Sequence, residues 1–151
     1  MEYTKKVLKH FFKPKNVGKI KNADAIGKLE NDACGDIMEV YIKVGKKKDK
    51  RKEKEYIKEI KFQTLGCPAA VAASDVLCDL VKGKTLEEAE KVNEKAITKK
   101  LGGLPVIKLH CSVLGAKTLK NAIENFRIHH KSMNSDSARK SKDFRHYRKS
   151  K

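Results

Sequence analysis

Apolar and polar residues alternate in two stretches of the chain, and this period of two predicts β-strands. The first stretch begins at Ile37, and its apolar face carries Met38, Val40, Ile42 and Val44. The second covers residues 56–65 and alternates in the same way. A weaker alternation at residues 27–32 predicts a third strand. Together these patterns predict a small antiparallel sheet.

Apolar residues spaced three and four apart predict helices in the remaining parts of the chain. Capping residues, an initiating Pro68 and terminating glycines set the expected boundaries. The predicted helices are residues 5–12, 69–82, 86–91, 94–100 and 112–127, and residues 104–109 are predicted to be extended. Because the strands precede most of the helices, we predict an α+β fold: a three-stranded antiparallel sheet with helices packed mainly on one face.

Basic residues concentrate in two segments, which hold more than half of the net charge of +17. Residues 46–55 contain seven Lys and Arg against three acidic residues, and we interpret them as a solvated hairpin tip. Residues 129–151 contain eight against two and show no apolar periodicity, so we predict a disordered basic tail. The expected division is therefore a domain of residues 1–128 followed by a tail of residues 129–151.

The distribution of apolar residues predicts neither a membrane span nor a secretory signal. No run of eighteen apolar residues occurs, and the N-terminus has no apolar h-region. We therefore expect a cytoplasmic protein without a membrane partner. Thiols stay reduced in the cytosol, so the four cysteines are candidates for metal or redox chemistry.

Three of the four cysteines lie at predicted element boundaries. Cys34 and Cys67 each neighbour a glycine, and Cys111 follows His110. A helix N-terminus at Cys67 and another at Cys111 would stabilise thiolates, which predicts lowered pKa values for these thiols. Three soft ligands suit zinc, iron or an iron-sulfur cluster, with Asp36 or His110 as the fourth ligand. The spacing alone equally allows that the three cysteines are ordinary core residues.

Cys78 differs from the other cysteines because it lies within a predicted helix. It follows Cys67 by eleven residues, which is about 16 Å along a helix axis, so one ion cannot bind both. We predict that Cys78 is a core residue. A hydrolase that pairs Cys111 with His110 is disfavoured, because adjacent residues rarely present both side chains to one point.

Several motifs in order along the chain resemble those of the IscU/NifU N-terminal family of iron-sulfur cluster assembly scaffolds. They are Pro14-Lys15-Asn16-Val17-Gly18, Ala33-Cys34-Gly35-Asp36, Thr64-Leu65-Gly66-Cys67 and Lys108-Leu109-His110-Cys111-Ser112. By this resemblance the metal ligands are Cys34, Cys67 and Cys111, with the fourth role shared between Asp36 and His110, and with Lys108 as an auxiliary residue.

The resemblance implies a non-enzymatic scaffold for [2Fe-2S] clusters. Such a scaffold accepts sulfur from a cysteine desulfurase as a persulfide, here on Cys111 or Cys67. It combines the sulfur with iron and with electrons from a ferredoxin-type donor, and then transfers the cluster to recipient apo-proteins. Zinc is an alternative occupant of the same ligands. The sequence leaves a homodimer open, with Tyr3 as a candidate contact.

Some positions depart from the family pattern. A Leu-Pro-Pro-Val-Lys segment that an Hsp70-type chaperone grips in many members is Leu104-Pro105-Val106-Ile107-Lys108 here, so chaperone use is left open. The short interval between Cys67 and Cys111, together with His110, places the chain nearer the IscU type than the zinc-dependent SufU type.

The alternative function is a zinc-stabilised basic module that binds nucleic acid or an acidic protein. The net charge of +17 favours anionic partners of either kind. Basic charge without aromatic stacking positions is a weak nucleic-acid signal, so we do not expect nucleic acid as a partner.

Overall fold

The computed structural model describes residues 2–31 and 35–135. Its elements in chain order are α1 (Lys5–Phe12), β1 (Ala25–Glu30), β2 (Ile37–Asp49), β3 (Lys52–Leu65), α2 (Pro68–Val81), α3 (Leu86–Glu90), α4 (Glu94–Lys100) and α5 (Leu109–Ser135), with a 3-10 turn at Val106–Lys108 before α5. The strands form an antiparallel sheet in the order β1-β2-β3. The predicted α+β fold is confirmed.

The core lies between one face of the sheet and the helices. Met38, Val40 and Ile42 of β2 and Phe62 of β3 are almost fully buried, as the alternation predicts. Helix α2 is buried over most of its circumference because its small alanines allow close packing on several sides. Among the described helices, none combines the length and apolar composition that crossing a bilayer requires.

Helix α5 packs against β1 at backbone distance. A Cβ atom on Gly27 would lie 2.4 Å from the carbonyl oxygen of Thr118 and 2.6 Å from the nitrogen of Ala122, so only glycine fits there. Asn125 Nδ2 also donates a hydrogen bond of 2.9 Å to the carbonyl oxygen of Ile26. This close approach fixes the position of α5 on the sheet.

Asp75 of α2 anchors the N-terminal segment, which comprises α1 and the loop up to Asn16, and the sequence patterns did not predict this. Its carboxylate is fully buried. Asp75 Oδ1 accepts hydrogen bonds from the backbone nitrogens of Lys15 and Asn16, both at 2.9 Å, and from Asn16 Nδ2 at 2.9 Å. Asp75 Oδ2 lies 2.6 Å from His10 Nδ1. The loop after α1 is therefore tied directly to the central helix.

The basic segment at residues 46–55 is the end of the β2–β3 hairpin, as predicted, and it is paired as a β-ribbon up to a short turn. Strands β2 and β3 remain in register up to the pair Asp49 and Lys52, leaving a two-residue turn at Lys50 and Arg51. The register places opposite charges across from each other, for example Lys46 beside Glu55. Such cross-strand pairs stabilise a ribbon that has no apolar face to bury.

The structure also corrects the segment that leads into α5. Residues 106–109 of the segment predicted to be extended are helical: the Lys108 nitrogen donates to the Pro105 carbonyl oxygen at 2.8 Å, and α5 begins at Leu109 instead of Ser112. Val106 in this segment is 83% exposed. In α1, only Val7 of the predicted apolar stripe is buried.

Helix α5 extends to Ser135, so residues 129–135 of the predicted tail are helical. Two contacts support the start of this extension: the ring of His130 stacks at 5.4 Å on that of Phe126, one turn earlier in α5, and His130 Nε2 lies 4.0 Å from Glu55 Oε2 of the β2–β3 hairpin. Residues 136–151, the rest of that tail, lie outside the described residues.

Candidate metal centre

The pairing of β2 with β3 brings the first two parts of the site together. Ile37 at the start of β2 pairs with Leu65 at the end of β3. Asp36 therefore lies beside the Gly66-Cys67 step that leads from β3 into α2. Cys67 is the N-cap residue of α2, and its carbonyl oxygen accepts the first hydrogen bonds of that helix.

Gly66 is glycine because Asp36 occupies the space that a side chain would need. A Cβ atom on Gly66 would lie 3.0 Å from Cγ of Asp36 and 2.9 Å from Cβ of Ala70. A larger residue would push the carboxylate away from the cysteines. This explains in steric terms why a glycine precedes Cys67.

The first turn of α5 supplies the other two side chains, and Cys111 lies at the middle of the cluster. Its Sγ atom is 3.6 Å from Cys67 Sγ, 3.6 Å from His110 Nε2 and 3.9 Å from Asp36 Oδ2. The ligand atoms of Asp36, His110 and Cys111 all lie within 4.8 Å of one another. Cys111 thus contacts its neighbour His110 and side chains from two other parts of the chain, whereas Cys67 is not in the group of mutually close ligand atoms.

These separations fit a tetrahedral metal. Ligand bonds of about 2.3 Å for sulfur and about 2.0 Å for nitrogen or oxygen place neighbouring ligand atoms roughly 3.5–3.8 Å apart. The contacts of Cys111 Sγ with Cys67 and His110 fall in this range. Asp36 and Cys111 are 7% and 2% exposed, whereas Cys67 and His110 are half-buried. The arrangement is suited to binding a thiophilic metal.

The electrostatics of Cys111 contradict the lowered pKa predicted from its place near a helix N-terminus. Burial raises the pKa of the Cys111 thiol above its ordinary range, and the neighbouring Cys67 and Asp36 raise it further. Lys108 acts in the opposite direction, but its effect is smaller. In the metal-free protein Cys111 is therefore a protonated thiol at neutral pH.

Lys108 and Tyr3 border the same site. The negative charge of Cys67 raises the pKa of the exposed Lys108 amine, so this lysine remains a cation beside the thiols. Burial raises the pKa of the Tyr3 phenol, and Cys67 raises it further. The sequence reasoning linked Tyr3 only to a dimer contact, and no local motif marks it as a neighbour of the cysteines.

The two remaining cysteines have different outcomes. Cys78 is completely buried within α2, which confirms its prediction as a core residue, and burial raises the pKa of its thiol. Cys34 lies outside the described residues, so its predicted role stays a prediction. Its sequence neighbours Gly35 and Asp36 are described, and Gly35 has φ of +75°, a value that favours glycine.

A surface pocket opens beside the metal centre. It has a volume of about 460 Å³ and is lined by His110 together with residues of β1, the loop after it and α5: Leu29, Glu30, Asn31, Val113, Leu114 and Lys117. His110 therefore faces both the thiols and an open space. A reactant can approach the site from this side.

Among the described residues, a second group has the geometry to hold a cation: His10, Asp75 and Asp79. Its oxygens are already used, since Asp75 Oδ1 accepts three hydrogen bonds and Asp79 Oδ1 accepts one from Asn16. We interpret this group as the anchor of the N-terminal segment.

Fold and site together define a small α+β protein with a candidate metal site, two cysteines beside Asp36 and His110, at the junction of a β-hairpin and two helix N-termini. Residues 2–133 match the family described as NifU-like N terminal domain. The chain belongs to this family.

Relatives with described functions extend the comparison. The iron-sulfur cluster assembly scaffold protein IscU 1 of Archaeoglobus fulgidus is 49% identical over 124 residues, which cover 82% of this chain and 76% of the relative. The corresponding IscU protein of Aquifex aeolicus is 42% identical over 125 residues, covering 83% of this chain and 76% of the relative. The resemblance inferred from the motifs is confirmed.

A solved structure shares the fold. The crystal structure of an iron-sulfur cluster assembly scaffold protein for the SUF system, from Fervidobacterium islandicum AW-1, aligns with a TM-score of 0.61 at 25% identity. The alignment covers 80% of this chain and 96% of that protein.

Proposed function

We propose that this protein is a scaffold on which [2Fe-2S] clusters are assembled before transfer to apo-proteins. The observation that carries the proposal is the contact of Cys111 Sγ with Cys67, His110 and Asp36, in a chain of the NifU-like N terminal domain family. The names of the relatives favour this function over the zinc-stabilised binding module.

The proposed ligands are three thiolates and one exchangeable group. Cys67 and Cys111 supply two thiolates, and Cys34, two residues before Asp36 in the chain, supplies the third. Asp36 and His110 share the fourth role, supported by their separations of 3.9 Å and 3.6 Å from Cys111 Sγ. A carboxylate is a harder ligand than a thiolate, so it suits a cluster that must leave. Zinc is the alternative occupant of this site.

Sulfur arrives as a persulfide carried by a cysteine desulfurase. A thiolate of Cys67 or Cys111 attacks the outer sulfur, the donor's S–S bond breaks, and the donor leaves as a thiolate while a new S–S bond forms on the scaffold. Cys67 is the more accessible of the two, and the 3.6 Å between their sulfur atoms places Cys111 within reach of sulfur held on Cys67. Two electrons from a ferredoxin-type donor then reduce this sulfur to sulfide as iron binds.

Residues around the site balance its negative charge and offer an apolar surface to a partner protein. Lys108 offsets the negative charge that accumulates as thiols ionise. Exposed apolar side chains flank the site in sequence, at Leu65, Ile107 and Leu109, and suit a protein partner such as the desulfurase. The protein carries the cluster stoichiometrically and catalyses no reaction of its own. We retain a cytoplasmic location in this proposal because the chemistry requires reduced thiols.

Anaerobic reconstitution tests the function. The protein is incubated with ferrous iron, cysteine, a reductant and a cysteine desulfurase, and the visible absorbance of a [2Fe-2S] cluster is followed, with iron and sulfide counts. Wild type and the control Cys78→Ala should both become red-brown, whereas Cys111→Ser should not load. A colourless wild type that retains one zinc, or a Cys111→Ser variant that loads normally, would refute the proposal.

Asp36→Ala tests the exchangeable ligand. Loss of the displaceable carboxylate should make the loaded cluster more persistent, measured as a slower transfer to an apo-ferredoxin. If the variant lost its cluster faster than wild type under the same conditions, the role of Asp36 would be wrong. Size-exclusion chromatography of the loaded protein shows whether one chain or two hold each cluster.

A further inference from the structure

The basic ribbon formed by residues 45–56 carries its charges unequally on two faces. Directly opposed residues of antiparallel strands lie on the same face, and successive residues alternate between faces. One face therefore carries the pairs Lys46 with Glu55 and Lys48 with Glu53. We call this the mixed face, since each lysine on it has an opposed glutamate.

The other face carries the pairs Lys47 with Lys54 and Asp49 with Lys52. We call it the cationic face. Both glutamates of the ribbon lie on the mixed face, so the positive charge concentrates on one side and at the two basic turn residues. A random distribution of surface charge for solubility does not require this separation.

The mixed face is already in contact with the protein itself. Lys46 Nζ lies 3.5 Å from Glu53 Oε1 within the ribbon, and Glu55 approaches His130 of α5 at 4.0 Å. On the cationic face, Lys47 is fixed at the base, where its Nζ atom lies 5.0 Å from the Tyr56 ring centre and donates to the carbonyl oxygen of Gly83. Lys52, nearer the tip, is exposed.

Both residues of the turn at the tip are cations in a backbone conformation that is energetically unfavourable for them. Lys50 and Arg51 have φ of +50° and +73°, the left-handed region that Asn and Gly occupy most readily in two-residue hairpin turns. A left-handed conformation is unfavourable for residues with a long side chain. Cations at both turn positions are therefore difficult to explain by folding alone, and departures from local preference are expected where a residue serves a function.

The tip is remote from the metal centre. Asp36 precedes β2, and the twelve steps from Ile37 to Asp49 at about 3.3 Å each place the turn roughly 40 Å away. The ribbon can thus bind a partner without touching the thiols.

We propose that the cationic face and the turn bind an acidic segment of a partner protein. Alternate residues of an extended acidic segment repeat at about 6.6 Å, the same interval as the lysines on one face of the ribbon. The residues present suit carboxylates better than nucleic acid. The Tyr56 ring is covered by Lys47, so it offers no stacking platform, and Arg51 is the ribbon's one arginine for bidentate recognition of bases.

The test is a binding titration that uses the full chain and fluorescein-labelled poly-L-glutamate, followed by fluorescence anisotropy at low ionic strength. Two double variants have the same net charge: Lys50→Gln with Lys52→Gln, which removes two exposed cations at the turn and on the cationic face, and Lys46→Gln with Lys48→Gln on the mixed face. The first pair should weaken binding roughly fourfold to twenty-fivefold, since each exposed ion pair contributes about a twofold to fivefold factor and the two factors multiply. The second should weaken it less than about twofold. Circular dichroism and urea unfolding check that both variants fold.

Equal weakening by both variants would overturn the proposal, because binding would then follow net charge and not one face. Absence of binding to poly-L-glutamate at low salt would overturn it too. A third outcome would also overturn it: duplex DNA that displaces the labelled poly-L-glutamate at a lower concentration of negative charges than unlabelled poly-L-glutamate requires. The titration needs no metal, and both variants should load a cluster like wild type. The outcome is therefore separable from that of the proposed scaffold function.

Discussion

Replacing Asp75 by alanine should release the N-terminal segment from the core. Asp75 Oδ1 accepts hydrogen bonds from two backbone N–H groups and from the Asn16 amide, and Asp75 Oδ2 is 2.6 Å from His10 Nδ1. Because the carboxylate is fully buried, water cannot replace it without opening the packing between α1 and α2. Asp75→Ala therefore leaves several polar groups without their partner.

The expected loss in the free energy of unfolding is about 3–5 kcal/mol. A hydrogen bond to a charged group contributes about 1.5–3 kcal/mol, and removing one member of a buried polar network costs about 3–5 kcal/mol in total, since the individual bonds are not additive. For a chain of this length, about 1 kcal/mol lowers Tm by roughly 2–4 °C. Asp75→Ala should thus lower Tm by roughly 6–20 °C.

Urea unfolding of the metal-free protein, followed by circular dichroism, measures this loss. Asp79→Ala is the matched control on the same helix, because Asp79 is exposed and its hydrogen bond from Asn16 Nδ2 is at the surface. It should cost less than about 1 kcal/mol. Brief trypsin treatment should cleave the Asp75→Ala protein first after Lys15, because the bond after Lys13 precedes Pro14 and resists trypsin. A loss no larger than that of Asp79→Ala would refute the reasoning.

Three further outcomes are expected. Because the pKa of the Cys111 thiol is raised, zinc binding must expel its proton, so the apparent zinc affinity should rise about tenfold per pH unit for that proton between pH 6 and 8. A competition titration against a chelator measures the affinity at each pH. An affinity that does not change with pH would contradict this prediction. Gly27→Ala should lower the free energy of unfolding by about 3 kcal/mol or more, measured by urea unfolding. The control Gly115→Ala should be neutral or stabilising, because its Cβ atom would meet ordinary contacts of 3.7 Å. Equal costs of the two substitutions would contradict the packing of α5 on β1. Lys50→Asn with Arg51→Gly should raise the free energy of unfolding by about 1 kcal/mol, and a lower Tm would argue against the left-handed turn.

The parts of the fold that depend on local pattern could be predicted from the sequence. Alternation identified the inward residues of β2 and β3, and the caps at Thr4, Thr85 and Asn93 each accept the expected hydrogen bond. The meeting of Asp36 with Cys67 also follows from the pattern. Strands that start at residue 37 and end at residue 65, when joined as an antiparallel hairpin, place the flanking residues side by side.

The errors occur where tertiary contacts decide the outcome. The charge run at residues 46–55 indicates an exposed hairpin tip, but it does not reveal that the two strands stay paired up to the turn, with Lys46 opposite Glu55 and Lys48 opposite Glu53. The end of α5 shows no apolar periodicity, yet His130 stacks on Phe126 one turn earlier and lies 4.0 Å from Glu55 of the hairpin. No local motif reveals that Asp75 meets residues 15 and 16, because these positions lie about sixty residues apart in the chain.

The pKa of Cys111 shows why a correct local rule still led to a wrong prediction. A helix N-terminus stabilises a nearby negative charge by about 0.3–1 kcal/mol, and by about 2 kcal/mol at most. Burial of an ionisable group shifts its pKa by up to roughly 3–5 units, at about 1.4 kcal/mol per unit, so burial outweighs the helix. Cys111 is 2% exposed, and Cys67 and Asp36 add to the effect of burial. Its thiolate therefore needs a cation stronger than the helix terminus, and the iron of the proposed cluster is the group that would supply that charge.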